Sequence, residues 1–234
     1  VLAALVAVFA AGCARAQPPV WVVRDANSEM VLFGSVHVLP RGLDWTPPAL
    51  DRALAVADDL WFELPIDPAS ENRVAALAMD RGLLPPEASL SDLLSRDGAA
   101  RLRRVAVQYG LTPDALERLE PWFAEVALAG AAFRKAQADA SSGVEKSLSA
   151  AAPASAARRA FETPEEQIAL FDDGPRAEQV ASLEATLRDM EENPGQYEEL
   201  VADWMVGDLD ALDHEALQPI RKASPGLYRR LVTD

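Results

Sequence analysis

Two short apolar runs, each cut off by a proline, bracket a stretch of helical periodicity near the start of the chain. No other feature constrains the fold as much. The first run is Met30-Val31-Leu32-Phe33, rich in residues that suit a pleated surface, and Leu39-Pro40 follows it. Proline brings no amide hydrogen to a ladder, so strand pairing stops there. Thr46 then offers an N-cap and Pro47 a first helical residue, and Leu50, Ala53, Leu54 and Ala57 recur at helical spacing. The second run, Asp59-Leu60-Trp61-Phe62-Glu63-Leu64-Pro65, is again strand-like and again ended by proline. Strand, helix and strand in this order predict a right-handed β-α-β unit whose two strands run parallel, about 4.8 Å apart.

Gly34-Ser35-Val36-His37 leaves one of only two histidines at the end of the first strand. In a parallel pair the C-terminal ends lie side by side, so His37 and Glu63 are expected to converge where open α/β sheets bind ligands. A neutral imidazole and a carboxylate are a common metal-ligand pairing, and without metal the same pair can act as base and orienter. Taken alone, the pair favours a blander reading: a turn-capping histidine and a solvated strand end.

Elsewhere, Val20-Trp21-Val22-Val23-Arg24 and residues 30–36 flank the turn-rich Asp25-Ala26-Asn27-Ser28-Glu29, which predicts an opening β-hairpin. Past Pro65 the pattern is mostly helical. Asp97 can cap a helix carrying Leu102, Val105 and Tyr109, with Gly110 at its end. Thr112-Pro113 starts another, and residues 122–138 form a helix apolar on nearly every side until Arg134, with Trp122 and Trp204 expected in the core. Glu125 inside that helix is expected at a rim or beside an arginine. Residues 143–148 can begin a helix, and 158–162 are short enough for a strand. Thr163-Pro164-Glu165-Glu166 reads as a capping box, so Glu162, like Glu63, ends a strand just before a helix. Residues 178–192 and 196–205 read as two amphipathic helices. The fold class is therefore α/β: a β-hairpin and β-α-β sheet core with a large helical portion.

Charge narrows the function. Twenty-two basic against 37 acidic residues leave −15, with the acidic groups spread along the chain, so a nucleic-acid partner is not expected. Residues 1–12 are an unbroken run of Val, Leu, Ala, Phe and Gly, too short to span a bilayer and placed like the apolar core of a secretory signal. Residues 1–16 thus read as a partial signal peptide, with the domain from 17 to 234. Ala14-Arg15-Ala16 matches a small-x-small cleavage site, while Ala11-Gly12-Cys13 resembles a lipobox with Cys13 as lipid attachment point; Ala10 departs from the usual leucine. Either exit places the protein in a bacterial cell envelope, periplasmic or lipid-anchored, touching membrane only through signal or lipid. Cys13 is the only cysteine, which excludes an intramolecular disulfide and a thiolate zinc cage. His214-Glu215 is followed by Ala216-Leu217-Gln218, so the helical zinc-protease pattern lacks its second histidine and His214 reads as a surface helix residue. No Gly-x-Ser-x-Gly elbow, phosphate loop or dinucleotide fingerprint occurs.

Gly34 to His37 with Leu39-Pro40, residues 45–50, Glu63-Leu64, Pro121-Trp122, Gly143-Val144-Glu145, Glu162-Thr163 with Gln167, and Trp204 with Gly207-Asp208 together resemble the TraB/GumN family, which is related to the TIKI metalloproteases. The order of many small motifs, from about Val20 to the last residue, carries the resemblance. It implies an α/β fold distantly similar to EreA/ChaN-like proteins, with two Gly-x-x-His motifs and a glutamate forming a metal-dependent hydrolase centre. Here the first motif is Gly34 to His37, with Ser35 in its backbone, and the glutamate is Glu63. The resemblance thereby reverses the odds on that pair.

No histidine follows His214, and the family pattern would place the second motif beyond Asp234. The expectation is a chain truncated at both ends, lacking the family's final strands, and inactive on its own; a degenerate member is the other explanation. Val144-Glu145 stands where the family tends to have Val-Asp, and Phe161 where it tends to have Leu. The function implied is an exported metal-dependent hydrolase, most plausibly a peptidase acting on a peptide or protein, with Mn, Co or Zn as divalent ion. His37 would be a ligand and Glu63 a ligand or general base, with Glu145 and Glu162 as weaker candidates in or around the site. The alternative is a non-catalytic envelope protein handling polysaccharide or peptide signals, since GumN is tied to an exopolysaccharide gene cluster and TraB to pheromone shutdown. Oligomeric state has no signal in the sequence.

Overall fold

The computed structural model describes residues 17–233, so the apolar run, both predicted exits from the signal and Cys13 lie outside the described residues. The chain opens with strands β1 (Val20–Arg24) and β2 (Glu29–Phe33), paired antiparallel with Trp21 opposite Leu32 and Val23 opposite Met30. Asp25 closes the turn by accepting from the amides of Asn27 and Ser28, both at 2.7 Å, which is the predicted hairpin. A short β3 (Leu39–Pro40) leads to α1 (Pro48–Leu54) and β4 (Asp59–Phe62). Helix α1 starts one residue later than Pro47 because Pro48 bars the preceding residue from helical geometry; Pro47 sits extended at φ −67° and ψ 141°.

Helices α2 (Pro68–Arg81), α3 (Leu90–Leu93), α4 (Arg96–Gln108), α5 (Pro113–Leu116) and α6 (Pro121–Lys135) follow. Ser95, not Asp97, caps α4, its hydroxyl accepting from the Gly98 amide at 2.9 Å. Helix α6 ends short of residue 138, because Ala138–Asp139 form β5 and pair with β3. Next come α7 (Val144–Ala151), β6 (Ala157–Ala160), α8 (Pro164–Asp172), α9 (Arg176–Glu192) and α10 (Gln196–Val206). The capping box at Thr163 and Glu166 is present as predicted. The last turns are α11 (Leu209–Leu212), a π-helical stretch at Asp213–Leu217 where His214 is exposed, α12 (Gln218–Ala223), α13 (Pro225–Tyr228) and a second π-helical stretch at Arg229–Thr233.

The fold is α/β with a large helical portion, but one expected pairing differs. Strand β4 takes β6 as its parallel partner, in register Asp59 to Ala157 through Phe62 to Ala160, and among the described residues β2 pairs only with β1. Leu60 and Phe62 turn inward onto Ala152 and Ala156, while Asp59 and Trp61 face out. Helices α4, α6 and α9 enclose the largest core, around Leu102, Val105, Leu128, Leu183 and Leu187. A second core, of Leu39, Trp45, Leu50, Val144, Val201 and Trp204, lies under the hairpin and carries the candidate site. Leu60, Phe62, Ala152 and Ala156 form a third, and Trp122 belongs to a fourth, with Leu77 and Ile168.

Candidate functional site

His37 sits on residues 34–38, a stretch held open by its carbonyls. The carbonyl of Gly34 accepts from the Trp204 indole at 2.8 Å, that of Val36 from the Val144 amide at 3.1 Å, and that of Val38 from the Tyr197 hydroxyl at 2.8 Å. Alternate carbonyls are thus fixed by a tryptophan and a tyrosine of α10 and by the first turn of α7, so the backbone beneath His37 is fixed on both sides. The start of α7 also delivers Glu145, the second residue of that helix, where a carboxylate complements the helix dipole.

Three side chains line up. His37 Nδ1 lies 2.8 Å from Glu145 Oε1, and its Nε2 lies 3.5 Å from Glu63 Oε2. Glu145 is 15 % exposed, against 64 % for His37 and 60 % for Glu63, so the site opens outward on its Nε2 side. The expected meeting of His37 and Glu63 therefore occurs, although β2 and β4 are not neighbours in a sheet. Glu145, a weaker candidate from sequence, makes the shorter contact. Glu162 reaches the same strand ends: its amide donates to the Glu63 carbonyl at 2.9 Å, continuing the β4–β6 ladder. Its Oε2 is buried without a hydrogen-bond partner. Glu125, outside this site, pairs with no arginine among the described residues; it accepts from Ser182 and Thr186 hydroxyls at 3.1 and 2.6 Å.

The electrostatics follow from these contacts. The hydrogen bond to Glu145 holds the His37 pKa above its ordinary 6.5, against the opposing effect of burial and with help from the charges of Glu145 and Glu63. Burial pushes the Glu145 carboxyl up, but hydrogen bonds from His37 and Ser35 and the imidazolium charge outweigh it and leave it below 4.5. Burial, then the charges of Glu63 and Glu166, raise Glu162, favouring its protonated form. A raised histidine stabilises the fold below pH 6.5 and loses that contribution as pH rises through its folded value. A lowered glutamate contributes above pH 4.5 and loses it as pH falls through its folded value. The pair therefore stabilises most between about pH 4.5 and 6.5. Glu145→Gln is expected to move the His37 midpoint down toward 6.5, read from the imidazole resonances in a pH titration. An unchanged midpoint would rule out the His37–Glu145 coupling.

With Nδ1 turned to a carboxylate, Nε2 is the nitrogen left for a ligand, as in carboxylate–histidine–metal arrangements. Donor chemistry fits a divalent ion in kind: one oriented imidazole, one open carboxylate, and a buried carboxylate oxygen without a partner nearby in the ladder. It falls short in number, since among the described residues no three His, Cys, Asp or Glu side chains converge closely enough to hold a metal. The sequence marks Trp204 as a core residue and a family landmark, and it marks Tyr197 as neither. Their donor roles toward carbonyls have no local signal, because a tryptophan or tyrosine on an apolar helix face looks the same with or without a polar partner.

No curated protein and no solved structure gives a significant match to the chain. The model of the TraB/PrgY/gumN family matches residues 19–234, which takes in the hairpin, the His37 loop, both strand-end glutamates and every helix of the described residues. The chain belongs to the TraB/PrgY/gumN family.

Proposed function

We propose that this protein is an exported, metal-dependent hydrolase of peptides, in a bacterial periplasm or tethered at Cys13, and that His37 is the centre of its site. The observation that carries the reading is the orientation of His37, whose Nδ1 is engaged by Glu145 while Nε2 faces Glu63 in the open. His37 Nε2 and Glu63 would hold the divalent ion, of the Mn, Co or Zn type. Such an ion polarises a carbonyl and lowers the pKa of a bound water. Glu145 fixes the imidazole tautomer, and Glu162, its carboxyl held above the ordinary range by burial, lies one residue away in the ladder. Since a proton and a metal compete for Nε2, affinity should rise with pH through the His37 midpoint.

Two protein donors bind weakly, so cobalt(II) titration of this chain, followed by calorimetry, is expected to show weak 1:1 binding. His37→Ala and Glu63→Ala should abolish it, and Glu145→Ala should weaken it by about 10–100-fold. Binding unaltered by His37→Ala would refute the assignment. A second reading, an envelope protein that binds a peptide or glycan without turnover, is favoured by the shortage of donors. Peptidase activity that depends on added metal and disappears in Glu63→Ala would decide against it.

A further inference from the structure

Away from His37, helices α6, α8 and α9, the C-terminal turns α12 and α13 and residues 229–233 line a half-open cavity of about 220 Å³. Its walls are mainly apolar, with Trp122, Phe171 and Leu227 among them. The rings of Trp122 and Phe171 stack, 6.4 Å apart at 21°. A dry cavity of about 150 Å³ in another protein accepts benzene, so there is room for a substituted ring.

The wall carries donors, the Trp122 indole N–H and the Arg230 guanidinium, the latter donating through Nε to the Leu170 carbonyl, as well as the acceptors Glu125 and Gln179. Both hydrogen bonds to Glu125, from Ser182 and Thr186, go to Oε1, leaving Oε2 with none among the described residues. Gln179 gives both amide hydrogens away, to the carbonyls of Asp172 at 3.0 Å and Gly174 at 2.9 Å. That pattern fixes which end of the amide is oxygen, and Oε1 is buried without a partner. Burial raises the Glu125 carboxyl despite its two hydroxyl donors, as expected for a group kept from water. The helix α6 position of Glu125 needs no carboxylate for packing, and a leucine there would cost nothing in helix propensity. A half-buried carboxyl with one oxygen uncommitted on an apolar wall is poorly solvated and gains from a ligand that donates to it.

We propose that this cavity is a binding site for a small aromatic molecule carrying one hydroxyl or amino hydrogen, with the ring between Trp122, Phe171 and Leu227 and the donor on Glu125. The site is separate from the His37 centre, and its occupancy does not depend on the hydrolase reading.

Phenol, anisole and toluene share a ring and differ in the test property: a donor, an acceptor only, or neither. Titrated into the whole chain and followed by the Trp122 indole N–H resonance, phenol is expected to bind saturably, with anisole and toluene about tenfold weaker. Glu125→Leu should bring phenol down to the level of toluene while toluene still binds. Ala129→Phe, which fills the cavity from α6, should abolish all three. Equal affinity for phenol and toluene, no saturable phenol binding, or phenol binding that survives Ala129→Phe would each overturn the proposal. The ligand series on the unsubstituted chain decides the matter even if a variant does not fold.

Discussion

Gly143→Ala is expected to destabilise the fold by about 1–3 kcal/mol and to pull His37 out of line with Glu145. The reason is space, not backbone freedom. Gly143 caps α7 at φ −61° and ψ 154°, a conformation open to any residue. A Cβ there would overlap the carbonyl oxygen of His37 and come within 2.7 Å of its carbonyl carbon. Backbone atoms held by Trp204, Val144 and Tyr197 cannot yield as the end of a side chain can. Either α7 moves away, taking Glu145 with it, or the His37 loop does. Denaturant unfolding measures the first effect, and the His37 midpoint, falling toward 6.5, measures the second. His37→Ala is the useful contrast, since it removes a side chain 64 % exposed and should cost less, the loss being confined to its pairing with Glu145. A Gly143→Ala variant with native stability and a native His37 midpoint would show that the loop and α7 are not in tight contact.

Trp204→Ala is expected to cost more, about 3–5 kcal/mol, a large share of the stability of a domain this size. Trp204 is 2 % exposed. Its ring packs 5.9 Å from Trp45 and 6.0 Å from Phe33, centroid to centroid, tying α10 to β2 and to the segment before α1. Its indole N–H also holds the Gly34 carbonyl. Trp204→Phe separates the two contributions. It keeps much of the packing but leaves a carbonyl without its donor, so it should lose about 1–3 kcal/mol and still disturb the His37 loop. Guanidinium unfolding of both variants checks the order. If Trp204→Phe matched the unsubstituted chain in both stability and His37 midpoint, the indole bond would have no part in holding the loop.

Local signals in the chain were sufficient for most elements. The hairpin follows from alternating β-formers around an Asp-Ala-Asn-Ser turn, and α8 from its capping box with proline at the first position. Where the expectation slipped by a residue, as at Pro47, the cause was again local, one proline acting on its predecessor. The partner of β4 was a different matter. A helix between two strands says that they can pair, whereas β6, far along the chain, pairs with β4 because the two bring Leu60, Phe62, Ala152 and Ala156 into one core. Glu125 shows the same limit, since Ser182 and Thr186 on α9 have no sequence mark as its partners.

The sequence by itself determined that His37 and Glu63 end strand-like segments, that Glu145 opens a helix and Glu162 precedes one, and that the landmarks run in family order. Only the tertiary structure decided that Glu145 reaches Nδ1 while Glu63 faces Nε2, and that Glu162 lies beside Glu63 through β6. Strand ends and caps are set by the nearest few residues. Which carboxylate meets which nitrogen depends on how α7 packs against Trp45 and Trp204 through Val144 and how β4 and β6 meet over the core of Leu60, Phe62, Ala152 and Ala156, and that choice is made by burial between segments a hundred residues apart.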